Sequence, residues 1–192
     1  HGGACLLTGQ KLIGFSTSWC DCDVAEGAIW AHRGERAAGT FANLGMGTLS
    51  LLTFRRIKGT SAYFFWLYGT LNILMGLGYL FTDPIFGFGD WTAILDSWDT
   101  PRWIRILIGI SAGFLYVQAA KRLALLARPM VGGEGYPATR PLMLLPYLFC
   151  GVFLLTAIAA LNRLGLQFAF TSALATAGGS SALAWMGSFL KP

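Results

Sequence analysis

Charge is what this sequence has least of. Charged side chains make up 12% of its 192 residues, against about 25% in an ordinary soluble domain. They are placed so unevenly that residues 37–54, 59–82, 106–120, 141–162 and 164–190 hold none. A soluble core interleaves a charge every few residues, so this pattern, with a mean hydropathy of +0.57, excludes an ordinary globular domain. The period-two alternation of barrel strands is missing too, which leaves helices as the way for these runs to satisfy their backbone groups in lipid. A helix needs about 20 residues to cross the hydrocarbon layer, and most of the runs are long enough.

A basic face is also lacking. The net charge is +5, yet the cations sit in short clusters at the ends of apolar runs, which argues against a nucleic-acid partner. Arg55, Arg56 and Lys58 form one cluster, and Lys121, Arg122, Arg128 and Arg140 flank a second loop. Between them, residues 82–102 hold Asp83, Asp90, Asp96 and Asp99. The positive-inside rule therefore predicts both basic loops on the cytoplasmic side and the acidic segment on the other. The four cysteines, Cys5, Cys20, Cys22 and Cys150, form neither a zinc ribbon nor a paired CxxC pattern. Cys150 reads as a small buried thiol in an apolar helix. Cys20 and Cys22, flanking Asp21, leave a disulfide or a metal role open. There is no internal repeat, no low-complexity tract, and no pair of broken helices at matching positions such as a transporter shows.

What is present reads as an all-α fold, a polytopic transmembrane helical bundle of about five to six membrane segments, one domain over residues 1–192 in the lipid bilayer. Residues 1–15 read as the second half of a helix that starts upstream, because the chain opens on His1 rather than methionine and begins like the middle of an element. Residues 16–36 read as a polar connection with interfacial tryptophans Trp19 and Trp30. Spans are expected at about 37–54, 60–81, 103–127, 142–161 and 166–190. Residues 82–102, broken by Pro84 and several glycines, read as re-entrant or interfacial. In the first full span, Gly39, Ala42, Gly45, Gly47 and Ser50 predict close helix approach, and Pro146 predicts a kink.

Ionisable residues within apolar segments are the default functional candidates, since each is costly there unless paired or bound. Two qualify. His1 lies in a stretch of small and apolar residues, and Asp90 lies in the break Gly87-Phe88-Gly89-Asp90-Trp91; both residue types ligate zinc. On the residues alone, other roles stay open. Asp90 also reads as an N-cap before Thr92-Ala93-Ile94-Leu95, His1 as an ordinary terminal residue, His32 as a solvated loop histidine, and Asn43 and Asn72 as interhelical hydrogen-bond donors.

Taken together, several stretches resemble the intramembrane zinc metalloproteases of the site-two-protease-like family, and especially a small uncharacterised bacterial branch of it. HGGACLLTG, from His1 to Gly9, is similar to the part of the family's first motif helix that begins at the second histidine of HExxH. Ala38, Gly39, Thr40, Phe41, Ala42 and Asn43 are similar to its AGxxxN element. NILMGLGYLFTDPIFGFGDW, from Asn72 to Trp91, resembles an asparagine followed by a Gly-Tyr pair and GDW, and LPYLFCGVFLLTAIAALNRLG with SALATAGGSSALAW resembles the end of that branch.

The resemblance implies a protein of the bacterial cytoplasmic (inner) membrane that cleaves a membrane-associated partner. Family zinc is held by both histidines of HExxH and a carboxylate from a later segment, with the intervening glutamate as general base. Carried over, His1 is the second histidine and Asp90 the third ligand to zinc. The first histidine and the glutamate would precede His1, so no catalytic residue is expected in this chain. The family's LDG-type carboxylate motif is absent in its usual form, and Asp90 in GDW stands in for it. A second reading remains open: a non-catalytic accessory subunit packed within a larger membrane complex.

Overall fold

The computed structural model describes residues 1–15, 20–23, 28–131, 139–149, 151 and 175–190. Most of them are helical. Helix α1 spans Gly2–Leu7 and is followed by strands β1, Lys11–Phe15, and β2, Cys20–Asp23. Helices α2 (Ile29–Phe54), α3 (Thr60–Phe86), α4 (Gly89–Asp96) and α5 (Arg102–Val131) follow. A π-helical turn at Arg140–Leu144, a short helix at Ala182–Trp185 and a 3-10 turn at Met186–Leu190 close the described chain.

The first segment differs from its sequence reading. Helix α1 stops at Leu7 because Gly9 turns into the left-handed region at φ +74°, where glycine carries no Cβ penalty. The Thr8 hydroxyl donates to Ala4 O at 2.9 Å, closing the last turn. Lys11–Phe15 then pairs antiparallel with Cys20–Asp23, Lys11 opposite Asp23 and Leu12 opposite Cys22, with an irregularity between Leu12 and Gly14. The fold is all-α as expected, and this short hairpin is its one sheet among the described residues. The polar connection 16–36 is likewise shortened, since α2 begins at Ile29 and takes His32, Arg33, Glu35 and Arg36 into a helix.

Helices α2 and α3 pack backbone to backbone. A methyl group placed on Gly47 would stand 3.0 Å from Gly69 O, and one on Gly69 would stand 3.0 Å from Gly47 O. The Ser50 hydroxyl donates to Phe65 O across this crossing at 2.7 Å. Asn72 instead donates within its own helix, to Tyr68 O at 2.8 Å. Helix α5 lies on the other side of α3, where Trp66 Nε1 donates to Leu123 O at 3.0 Å and Gly109 lets α5 meet Ile85. Tyr116, Ala120, Leu123, Ala124 and Met186 join Trp66 in the core.

Helices α3 and α5 are long and apolar enough to cross a membrane. Phe41, Phe64 and Phe114 stay more than half exposed, as lipid-facing side chains do. In the expected re-entrant segment, α3 runs on through Pro84 to Phe86, Gly87 at φ +75° ends it, and α4 starts. Helix α4 folds back against α2 and α3. Part of the expected span 142–161, Cys150, and the first part of the expected span 166–190 lie outside the described residues.

Candidate functional site

The site assembles where α1, α2 and α4 meet. Its placement begins with Asp83, which is buried at 1% exposure. The Asp83 carboxylate accepts from Trp91 N at 3.2 Å, its carbonyl accepts from Thr92 Oγ1 at 2.6 Å, and Trp91 Nε1 donates to Thr40 Oγ1 on α2 at 2.9 Å. Asp83 thus takes the capping role that the sequence offered to Asp90. Asp90 lies in the first turn of α4, and its carboxylate is directed at α1 and α2 instead.

His1 and Asp90, 89 positions apart in the sequence, come together there. His1 Nε2 lies 3.4 Å from Asp90 Oδ2. The other ring nitrogen, Nδ1, lies 2.8 Å from Glu35 O and 3.2 Å from Glu35 Oε1. A carbonyl oxygen only accepts, so Nδ1 carries a proton and Nε2 faces the Asp90 carboxylate. The ring fits because Gly39 leaves the space open: a Cβ there would clash with His1 Nε2. Arg36 Nη1 reaches the second Asp90 oxygen, Oδ1, at 3.1 Å, while Arg36 Nε donates to His32 Nε2 at 2.8 Å. His32 is therefore a helical residue in this polar group, not a solvated loop residue.

Two carboxylates face one guanidinium, and a neutral imidazole would point its lone pair at one of them. A proton or a metal ion beside Nε2 would offset the second carboxylate. At 3.4 Å the pair has the spacing of an ion pair with a protonated ring, and a shared ion fits the same spacing. Two ligands each about 2.0–2.2 Å from one tetrahedral zinc stand roughly 3.3 Å apart. The Nδ1–H bond to a backbone carbonyl is the usual second contact of a metal-ligating histidine, fixing ring and tautomer. His1 Nε2 and Asp90 Oδ2 thus stand at one point as two potential ligand atoms. Burial raises the Glu35 carboxyl above its ordinary value, with the Asp90 charge adding to the rise and Arg36 opposing it. Burial likewise raises Asp90, against the Arg36 cation.

A sulfur cluster borders the same carboxylate. Cys5 and Cys22 form a disulfide that ties α1 to β2, and Cys20 Sγ lies 3.8 Å from Cys22 Sγ. The ligating atoms of Cys20, Cys22 and Glu35 all lie within 4.8 Å of one another. Glu35 is 7% exposed and faces both groups. The sequence singles out His1, Asp90 and the Cys20–Cys22 pair, which the structure brings to one region, but not Glu35, Arg36 or Asp83 beside them. A glutamate among charges, just before an apolar run, looks like a solvated helix end, and only the fold brings His1, Cys20 and Cys22 to it. The chain matches no protein-family model, no curated protein and no solved structure.

Proposed function

We propose that this chain is part of a membrane-embedded zinc metalloprotease-like protein that cleaves a membrane-associated partner, built as a bundle of about five to six membrane segments in the bacterial inner membrane. The observation that carries the reading is the approach of His1 Nε2 to Asp90 Oδ2 at 3.4 Å, between the two residues that the family resemblance singles out as zinc ligands. His1 and Asp90 would hold the ion. Glu35 orients the imidazole through its backbone carbonyl, and Arg36 holds the far oxygen of Asp90. Zinc, when bound, supplies Lewis acidity that polarises a peptide carbonyl and acidifies water. The resemblance assigns the first histidine and the general-base glutamate to positions before His1.

The Arg36–Asp90 ion pair at 3.1 Å favours a second reading. It already neutralises half of the acidic pair, so a protonated His1 would complete a metal-free polar cluster. The protein would then be a non-catalytic subunit of a larger membrane complex. Elemental analysis of the purified full-length protein beside an Asp90→Ala variant separates the two. The zinc reading expects about one zinc per chain, falling more than about ten-fold in the variant, since a ligand is lost. Metal-free protein in both samples would sink it in favour of the accessory-subunit reading.

A further inference from the structure

The Cys20-Asp21-Cys22 motif remains unused by the proposed function, and the structure gives it a setting. Both cysteines lie on β2, and residues two apart on a strand point to the same face, so the two thiols emerge side by side. The hairpin register puts Leu12 opposite Cys22, and α1 brings Cys5 to Cys22 from the other direction. Cys20, Cys22 and the buried Glu35 carboxylate therefore lie within 4.8 Å of one another, and Cys5 is bonded to Cys22. Two thiolates at about 2.3 Å from one tetrahedral zinc stand roughly 3.8 Å apart, and Cys20 Sγ stands 3.8 Å from Cys22 Sγ.

We propose that Cys5, Cys20, Cys22 and Glu35 form a second, redox-gated site that takes a thiophilic divalent cation of the zinc type when the Cys5–Cys22 disulfide is reduced. Its gate is a balanced exchange. A dithiol reductant delivers two electrons and two protons, the Cys5–Cys22 bond breaks to two thiols, and the reductant leaves as its own disulfide. Cation binding then releases the thiol protons, because thiolates are the ligands. Oxidation removes two of the four donors at once. Cys20 and Cys22 are half-buried, so an ion reaches them from the surface, while the carboxylate supplies the hard fourth ligand. This site does not rest on the His1–Asp90 zinc reading, although both touch Glu35.

Cobalt(II) is the probe, because sulfur ligation gives an intense thiolate-to-metal charge-transfer band that a histidine–carboxylate site cannot give. The purified full-length protein, in detergent and reduced with a phosphine that is then removed under inert gas, is titrated with Co²⁺. The expected result is a charge-transfer band saturating near one equivalent. It should persist in Asp90→Ala, be absent from oxidised protein, and weaken at least ten-fold in Cys20→Ser, a variant that retains the Cys5–Cys22 disulfide and with it the tie between α1 and β2. The proposal is overturned if reduced wild-type protein gives no band, or if Cys20→Ser gives the same band as wild type. A band lost only in Asp90→Ala would also overturn it, by moving the sulfur ligation to the other site.

Discussion

At Gly39 a methyl group would occupy the space of the His1 imidazole, so the polar cluster exists only while that position has no side chain. Helix α2 is rigid there, and the ring must move if anything is added. Gly39→Ala is expected to displace His1 and to cost about 1–3 kcal/mol, the usual penalty of overpacking a filled site. Zinc content should fall together with the melting temperature measured in detergent. Gly89 is tighter still. It holds φ +83°, and a Cβ there would overlap the Asp83 carboxylate that caps α4. Gly89→Ala should therefore lose at least about 1–2 kcal/mol from backbone strain alone, and it should lose zinc as well, because α4 carries Asp90. A Gly89→Ala protein with wild-type stability and zinc would contradict the placement of α4. At this scale the sequence was half legible. His1 and Asp90 stood out because they are ionisable residues within apolar stretches. Glu35 and Asp83 did not, since their partners lie 34 and 8 positions away in the chain and come into contact only through a fold.

The helices themselves were easier to read. Hydropathy is a local property, so the charge-free runs marked α3 and α5 and the apolar part of α2 without knowledge of their partners. The ends were less legible, because a charged residue near a helix end looks the same whether it meets water or a returning segment. The β1–β2 hairpin was not legible at all: five residues of Lys-Leu-Ile-Gly-Phe are too few to separate a strand from a frayed helix by periodicity. The small-residue pattern was right in kind and selective in detail. Gly47 and Gly69 make the α2–α3 crossing, whereas a Cβ at Gly45 would meet nothing within 4 Å. Gly69→Leu is expected to destabilise the protein by about 1–3 kcal/mol or more through overpacking. Gly45→Leu, on the same pair of helices, should be neutral or slightly stabilising, because leucine is the better helix former. Thermal unfolding of the two variants side by side checks this, and equal losses would refute the crossing. The break in regular helix before Pro146 has a local cause as well. Proline lacks the N–H that would bond to Leu142 O, and the Tyr63 hydroxyl donates to that carbonyl at 3.0 Å, next to the π-helical turn Arg140–Leu144.

For the whole molecule, the contacts of α3 with α5 decide which ends share a side. Trp66 near the start of α3 meets Leu123 near the end of α5, and Ile85 near the end of α3 meets Gly109 near the start of α5. The two helices are antiparallel, so Arg55, Arg56 and Lys58 share one end of the bundle with Arg128. The opposite end holds α4, Asp90 and the cysteine hairpin. Short loops rich in lysine and arginine stay in the cytoplasm, so the charge pattern predicts the His1–Asp90 cluster on the far side. Arg33, Arg36, Arg102 and Arg105 also lie at that end and weaken the bias, although Arg36 and Arg105 are paired with Asp90 and Asp96. The disulfide supplies a separate argument, because a Cys5–Cys22 bond persists in an oxidising compartment and not against cytosolic reductants. Charge and sulfur chemistry therefore predict the same orientation. A reporter that fluoresces only in the cytoplasm should be bright when fused after Lys58 and dark when fused after Asp99, and an enzyme reporter that needs disulfides should show the reverse. If both fusions behave as cytoplasmic, the acidic end faces reductant, the Cys5–Cys22 bond opens in the cell, and the thiol form of the cluster becomes its resting state.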